Sequence, residues 1–147
     1  MRNISILTCA AALAAFATGC GDGGGGDDGL KNVGQACETA DDCYQDIDHD
    51  LLSGDVVCLT EVQDGYCTHL CETDEDCCAV EGECDYDIDL EVVCSPFQAT
   101  GQKFCFISCE GEGQDDEYCQ TWAHPDFICR STGGGAQNRK VCVPPGT

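Results

Sequence analysis

Two sets of residues have types and spacings that could do chemistry: the cysteines, and acids at alternate positions. Sixteen cysteines stand in a chain of 147 residues, and fourteen of them follow Cys20, at 37, 43, 58, 67, 71, 77, 78, 84, 94, 105, 109, 119, 129 and 142. Thiolates can hold zinc or run thiol-disulfide exchange, but both uses favour a Cys-x2-Cys spacing. No such spacing occurs in the chain. At this density the cysteines read as the disulfide framework of an exported protein, in which cross-links do what a small core cannot.

The second set is Asp46, Asp48 and Asp50, matched by Asp85, Asp87 and Asp89 just before the next Val-Val-Cys stretch. Alternate carboxylates are hard oxygen ligands and resemble the start of an EF-hand loop. Such a loop needs Gly at its sixth position and Glu at its twelfth. Here those places hold Leu51 and Val57 in the first copy, Leu90 and Pro96 in the second. A regular EF-hand is therefore excluded, and the six aspartates stand as a candidate weak calcium site, with a solvated acidic edge as the alternative. No other cofactor is called for.

Nucleophilic catalysis finds no support. There is no Gly-x-Ser-x-Gly motif, and His49, His69 and His124 stand far apart without a suggestive Ser or Asp. Each is read as a surface or turn residue, and the chain as a non-enzyme. Trp122 is expected to cap a mini-core, with an exposed contact anchor as the alternative.

The elements that position these residues form a repeat. Cys37-Glu38-Thr39-Ala40-Asp41-Asp42-Cys43 returns as Cys71-Glu72-Thr73-Asp74-Glu75-Asp76-Cys77. The cysteines parse into three units of four, 37/43/58/67, 71/77/94/105 and 109/119/129/142, with Cys78 and Cys84 as an inserted pair. The third cysteine of each unit follows two apolar residues, and three residues separate Cys67 from Cys71 and Cys105 from Cys109. Constant joints mark rigid backbone, and variable loops mark surface.

Each unit predicts a short β-hairpin around its third and fourth cysteines, with a turn between the first two. The fold class is a small disulfide-rich protein of tandem Cys-rich mini-domains with little regular secondary structure or core. Four cysteines allow three pairings. The one favoured joins first to third and second to fourth: Cys37–Cys58, Cys43–Cys67, Cys71–Cys94, Cys77–Cys105, Cys109–Cys129 and Cys119–Cys142. Cys78–Cys84 closes a local loop, with Cys77 and Cys78 able to exchange roles.

This spacing, Cys-x5-Cys ending in Asp-Cys, then an apolar pair and Cys, then a hydrophobic residue and Cys, resembles the Cys-rich repeats of predicted lipoproteins of myxobacterial type. It is more distantly similar to the Cys-rich N-terminal module of the Dickkopf proteins. The first resemblance implies an exported, surface-associated protein, and the second implies protein binding. The acidic inserts and the pair Cys78 and Cys84 depart from the Dickkopf-like pattern, so no partner residue carries over.

The N-terminal stretch reads as an address. Met1-Arg2-Asn3 precedes an apolar run to Thr18, too short for a spanning helix and suited to a signal peptide. Ala17-Thr18-Gly19-Cys20 resembles a lipobox, which makes Cys20 the lipidation site. The glycine- and aspartate-rich residues that follow suit a flexible tether. The expected organisation is a signal peptide over 1–19, lipidated Cys20 and tether over 20–33, and repeats over 34–70, 71–108 and 109–147. The expected location is the outer membrane, lipid-anchored and facing periplasm or cell exterior, with no transmembrane helix after processing.

A formal net charge of -22, from 28 acidic and six basic residues, excludes nucleic acid as a partner and leaves the N-terminal lipid as the membrane contact. An unknown protein or basic ligand fits instead. The expected function is a non-catalytic binding or structural module at the cell surface. A small secreted protease inhibitor or toxin-like knot, with Arg139 and Lys140 as its basic bait, is the alternative, followed by a calcium-binding surface module.

Overall fold

A computed structural model describes residues 32–84, 90–97, 101–132 and 138–145. It contains three antiparallel hairpins: β1 (Val56–Cys58) with β2 (Cys67–His69), β3 (Val92–Pro96) with β4 (Lys103–Ile107), and β5 (Ile128–Ser131) with β6 (Lys140–Val143). Short 3-10 turns run over Ala40–Asp42, His49–Leu51 and Asp74–Cys78, and one helix, α1, over Asp116–Trp122. No helix among the described residues is long and apolar enough to cross a membrane.

The Glu-Thr-x-x-Asp repeat folds as it does because its aspartate captures backbone donors left over at a turn start. Asp42 Oδ2 accepts from the N–H groups of Thr39 at 2.8 Å and Glu38 at 3.0 Å. Asp76 Oδ2 accepts from Thr73 at 2.8 Å and Glu72 at 2.9 Å, the same geometry thirty-four residues on. In the third unit the longer stretch between Cys109 and Cys119 makes room for α1, whose N-cap Asp115 accepts from Glu117 and Tyr118.

Seven disulfides bind these turns to the hairpins: Cys37–Cys58, Cys43–Cys67, Cys71–Cys94, Cys77–Cys105, Cys78–Cys84, Cys109–Cys129 and Cys119–Cys142. Within each hairpin the third and fourth cysteines stand directly opposite, Cys58 to Cys67, Cys94 to Cys105 and Cys129 to Cys142. They bond not to each other but back to the preceding turn, which clamps that turn across both strands. Carboxylates add to the clamp in two units, where Asp74 accepts from Cys94 N at 2.8 Å and Asp116 from Cys129 N at 2.9 Å.

Successive units join in one repeated way. Leu70 bridges Phe104, and Ser108 bridges Val141, so the last strand of each unit runs on to pair beside the last strand of the next. Thr68 Oγ1 donates to Cys105 O at 2.7 Å across the first joint. The buried side chains then form one cluster rather than three. Tyr66 of the first unit lies 5.4 Å from Phe106 of the second and 5.7 Å from Phe127 of the third, ring centre to ring centre. Each such ring, fully buried, contributes on the order of 1.5 to 3 kcal/mol, so sharing gives three core-poor units a core that none has alone. Gly65 is required where the first hairpin turns back, since a Cβ there would stand 2.0 Å from Cys37 O.

The turn carboxylates make stability acid-sensitive. Hydrogen bonds from Thr39 and Glu38 hold the Asp42 carboxyl below its ordinary 3.8, as those from Thr73 and Glu72 do for Asp76. The Arg139 guanidinium likewise holds Glu110 below 4.5. A carboxyl whose folded value is depressed stabilises above its unfolded value, and that contribution is lost as pH falls through the folded one. The urea midpoint is therefore expected to fall once pH drops below about 4.5, and to fall less steeply when Asp42→Asn and Asp76→Asn are combined. An unchanged slope in that variant would remove the turn caps from the acid response.

Candidate functional site

The most concentrated polar chemistry lies at the first joint, and it involves a histidine read from the sequence as a surface residue. His69 ends β2 and is fully buried together with Glu83 of the inserted loop, with Nε2 2.6 Å from Glu83 Oε1. The correction has a physical cause: the Cys78–Cys84 disulfide closes a tight loop that folds back over the joint and carries Glu83 inward. Glu83 Oε2 accepts from Val80 N at 3.0 Å. Asn32 Nδ2 donates to Gly82 O and Glu83 O, both at 2.8 Å, tying the first described residue of the body to the same loop. The second ring nitrogen of His69 lies 2.8 Å from Leu70 O, and Tyr44 packs edge-on at 5.6 Å. Burial, followed by the nearby Glu83 carboxylate, pushes the Tyr44 phenol far up, so it stays neutral.

Cys105 Sγ is 3.5 Å from His69 Nε2, which places glutamate, histidine and cysteine together. The arrangement cannot act as a nucleophilic triad. A relay needs the base to use one ring nitrogen for the nucleophile and the other for the carboxylate, whereas here both partners meet Nε2. Cys105 is moreover completely buried and bonded to Cys77. The group is a clasp between the first unit, the second unit and the insertion.

Three further sulfur groups occur, with Cys37, Cys43 and Cys67, then Cys71, Cys77 and Cys105, then Cys109, Cys119 and Cys142, each within 4.8 Å. All of these sulfurs are in disulfides and so are not the thiolates that metal coordination requires. Among the described residues these are the groups of three or more potential ligand atoms that come so close, and the carboxylates of Asp46, Asp48 and Asp50 are not among them. Asp48 instead caps the His49–Leu51 turn, accepting from Asp50 N at 3.1 Å. Asp85, Asp87 and Asp89 lie outside the described residues, as does Cys20.

Of the basic pair considered from sequence, Arg139 is engaged in the scaffold, while Lys140 is exposed at the start of β6 and residues 133–137 of the same loop lie outside the described residues. Arg139 donates from Nε to Glu110 Oε2 at 2.8 Å and from a terminal nitrogen to Asp74 Oδ2 at 2.7 Å, bridging the second and third units. Asp74 is further held by Cys94 N, so the guanidinium is locked into the scaffold. Lys103 is used similarly, donating to Glu72 O at 2.9 Å. His49 and His124 are exposed or half-buried, in keeping with their reading as turn residues. Trp122, expected to cap a mini-core, is 40% exposed at the end of α1 because Tyr66, Phe106 and Phe127 already fill the shared core.

Surface depressions also occur among the described residues. A shallow one of about 650 Å3 is lined by Glu38, Gln45, Thr60 and Asp64 of the first unit. A smaller one of about 330 Å3 lies at the start of α1. A cleft of about 470 Å3 opens between the first and third units. No protein-family model, curated protein or solved structure matches the chain.

Proposed function

We propose that the protein is an exported lipoprotein, held at the outer membrane by an acylated Cys20, whose disulfide-stitched body serves as a non-catalytic binding module for a basic partner. The observation that carries this reading is the enclosure of all fourteen cysteines beyond Cys20 in seven disulfides. Such a framework forms and persists in oxidising compartments. The lipobox-like Ala17-Thr18-Gly19-Cys20 and the glycine-rich stretch after it support attachment through lipid, with the triacyl head of a mature lipoprotein as the stable anchor. The charge of -22 supports a cationic partner and long-range attraction to it.

The test uses the full chain expressed in a Gram-negative host. The expected result is an N-terminal peptide that begins at acylated Cys20, a body recovered with outer membranes, and its release to the soluble fraction by Cys20→Ala. An unacylated N-terminus at another position would overturn the anchor. For the binding role, basic proteins should be enriched in pull-downs from intact cells relative to the surface proteome. Retention of none would overturn it.

A further inference from the structure

Six of the seven disulfides belong to the repeat, and one does not. Each of the six clamps a turn across a hairpin, spans 20 to 28 residues and has at least one buried cysteine. Cys78–Cys84 spans six residues, touches no strand, and is the bridge of which both residues are partly open to solvent. It closes the loop that carries Glu83, the fully buried partner of His69. That loop has two other fastenings to the body: the contact of Glu83 Oε1 with His69 Nε2 at 2.6 Å, and Asn32 Nδ2 on the carbonyls of Gly82 and Glu83. With the bridge open, the nearest covalent anchors on either side become Cys77 and Cys94. The chain freedom that opposes the burial of Glu83 then grows with the length of the free span.

We propose that Cys78–Cys84 is a reducible latch on the joint between the first and second units. Its opening by a dithiol, such as the paired thiols of an exported thiol-disulfide oxidoreductase, lets Glu83 withdraw from His69 while the six repeat disulfides stay closed. A thiolate of the dithiol attacks one sulfur of the bridge, forming a mixed disulfide and releasing the other cysteine as a thiolate. The second thiol then attacks the reductant's sulfur in that mixed disulfide and frees the remaining cysteine. The dithiol leaves as a disulfide, and its two electrons and two protons end on Cys78 and Cys84. Exchange needs access to a sulfur, which the completely buried pair Cys77 and Cys105 denies and the half-buried pair Cys78 and Cys84 allows. Loop closure also gives the shortest bridge the smallest share of the stability, so its opening is the one the fold survives. The effect falls on the joint, where the His69 ring, enclosed by Glu83, Leu70 O and Tyr44, loses part of its cover. The latch depends on neither the lipid anchor nor the basic partner, and its failure leaves both standing.

The oxidised full chain is equilibrated with rising ratios of reduced to oxidised dithiothreitol. Free thiols are alkylated and mapped by mass, and histidines are probed with diethyl pyrocarbonate. The expected first product carries labels on Cys78 and Cys84 with the other disulfides closed. In that product His69, fully buried in the oxidised protein, should react faster by about tenfold or more, since the lost loop closure favours local opening. Exposed His49 serves as the internal reference and should react alike in both forms. Glu83→Gln keeps the shape of the side chain and weakens its hold on His69. It should shift half-opening to a lower ratio of reduced to oxidised dithiol, because coupling between the two fastenings is reciprocal. Another disulfide that opens first, or together with this one, would overturn the latch. So would a product labelled at Cys78 and Cys84 in which His69 stays as protected as before. An unchanged half-opening ratio in the Glu83→Gln protein would show the bridge and the buried pair to be uncoupled, which overturns it as well.

Discussion

Glu83→Ala is expected to lower the unfolding free energy by about 1 to 3 kcal/mol for each buried hydrogen-bonding group it leaves without a partner. The carboxylate and His69 are both fully buried at 2.6 Å, so the loss is not softened by solvent as it would be on the surface. The change also deprives Val80 N of its acceptor, since Glu83 Oε2 takes that bond at 3.0 Å. The measurement is the urea midpoint of the oxidised protein. Replacing both partners, His69→Leu with Glu83→Met, should recover much of the loss, because an apolar pair of similar volume leaves no uncompensated group. A single substitution that leaves the midpoint where it was would show that the clasp does not hold the joint.

The second large effect concerns the bridge beside that clasp. Cys77→Ala with Cys105→Ala removes a buried disulfide spanning 28 residues, and Cys78→Ala with Cys84→Ala removes one spanning six. Loop-closure entropy alone assigns these about 3.6 and about 2.2 kcal/mol. The long bridge should cost at least its share, since Cys105 also packs against His69 and sits at the centre of the β3–β4 ladder. The short one should cost more than its loop length predicts, because it shapes the turn that delivers Glu83. That excess is expected to vanish in a Glu83→Ala background, a coupling that a double-mutant cycle reads directly. Strict additivity would mean that the inserted disulfide and the buried pair act independently.

The scaffold was legible in the sequence to the extent that its causes are local. The Glu-Thr-x-x-Asp pattern closes on donors within four residues, so its two copies announce two identical turns. The apolar pairs before Cys58, Cys94 and Cys129 announce strands, and each is a strand of a two-stranded hairpin. The stretch between Cys109 and Cys119, longer than its counterparts, leads into α1 because Asp115 supplies the N-cap, and the helix runs on past Cys119 to Trp122. The candidate sites were less legible. The partners of Arg139 lie 29 and 65 residues away, and nothing around Arg139 in the chain distinguishes a scaffold arginine from a bait. Glu83 is one acid among 28, and no pattern of spacing marks it as the one that turns inward.

Sequence by itself determined the compartment-dependent chemistry and the units: cysteine order, constant joints and acidic turns are short-range properties carried by neighbours in the chain. Tertiary structure alone decided the rest. The hairpin register sets Cys58 opposite Cys67, and likewise their equivalents in the other units, so that each preceding turn is clamped across both strands. The stacking of Tyr66 on Phe106 and Phe127 merges three units into one core. The same merging buries His69 with Glu83 and opens the cleft between the first and third units. Burial and clefts are made where distant segments meet, and a spacing pattern records only how far apart residues are along the chain.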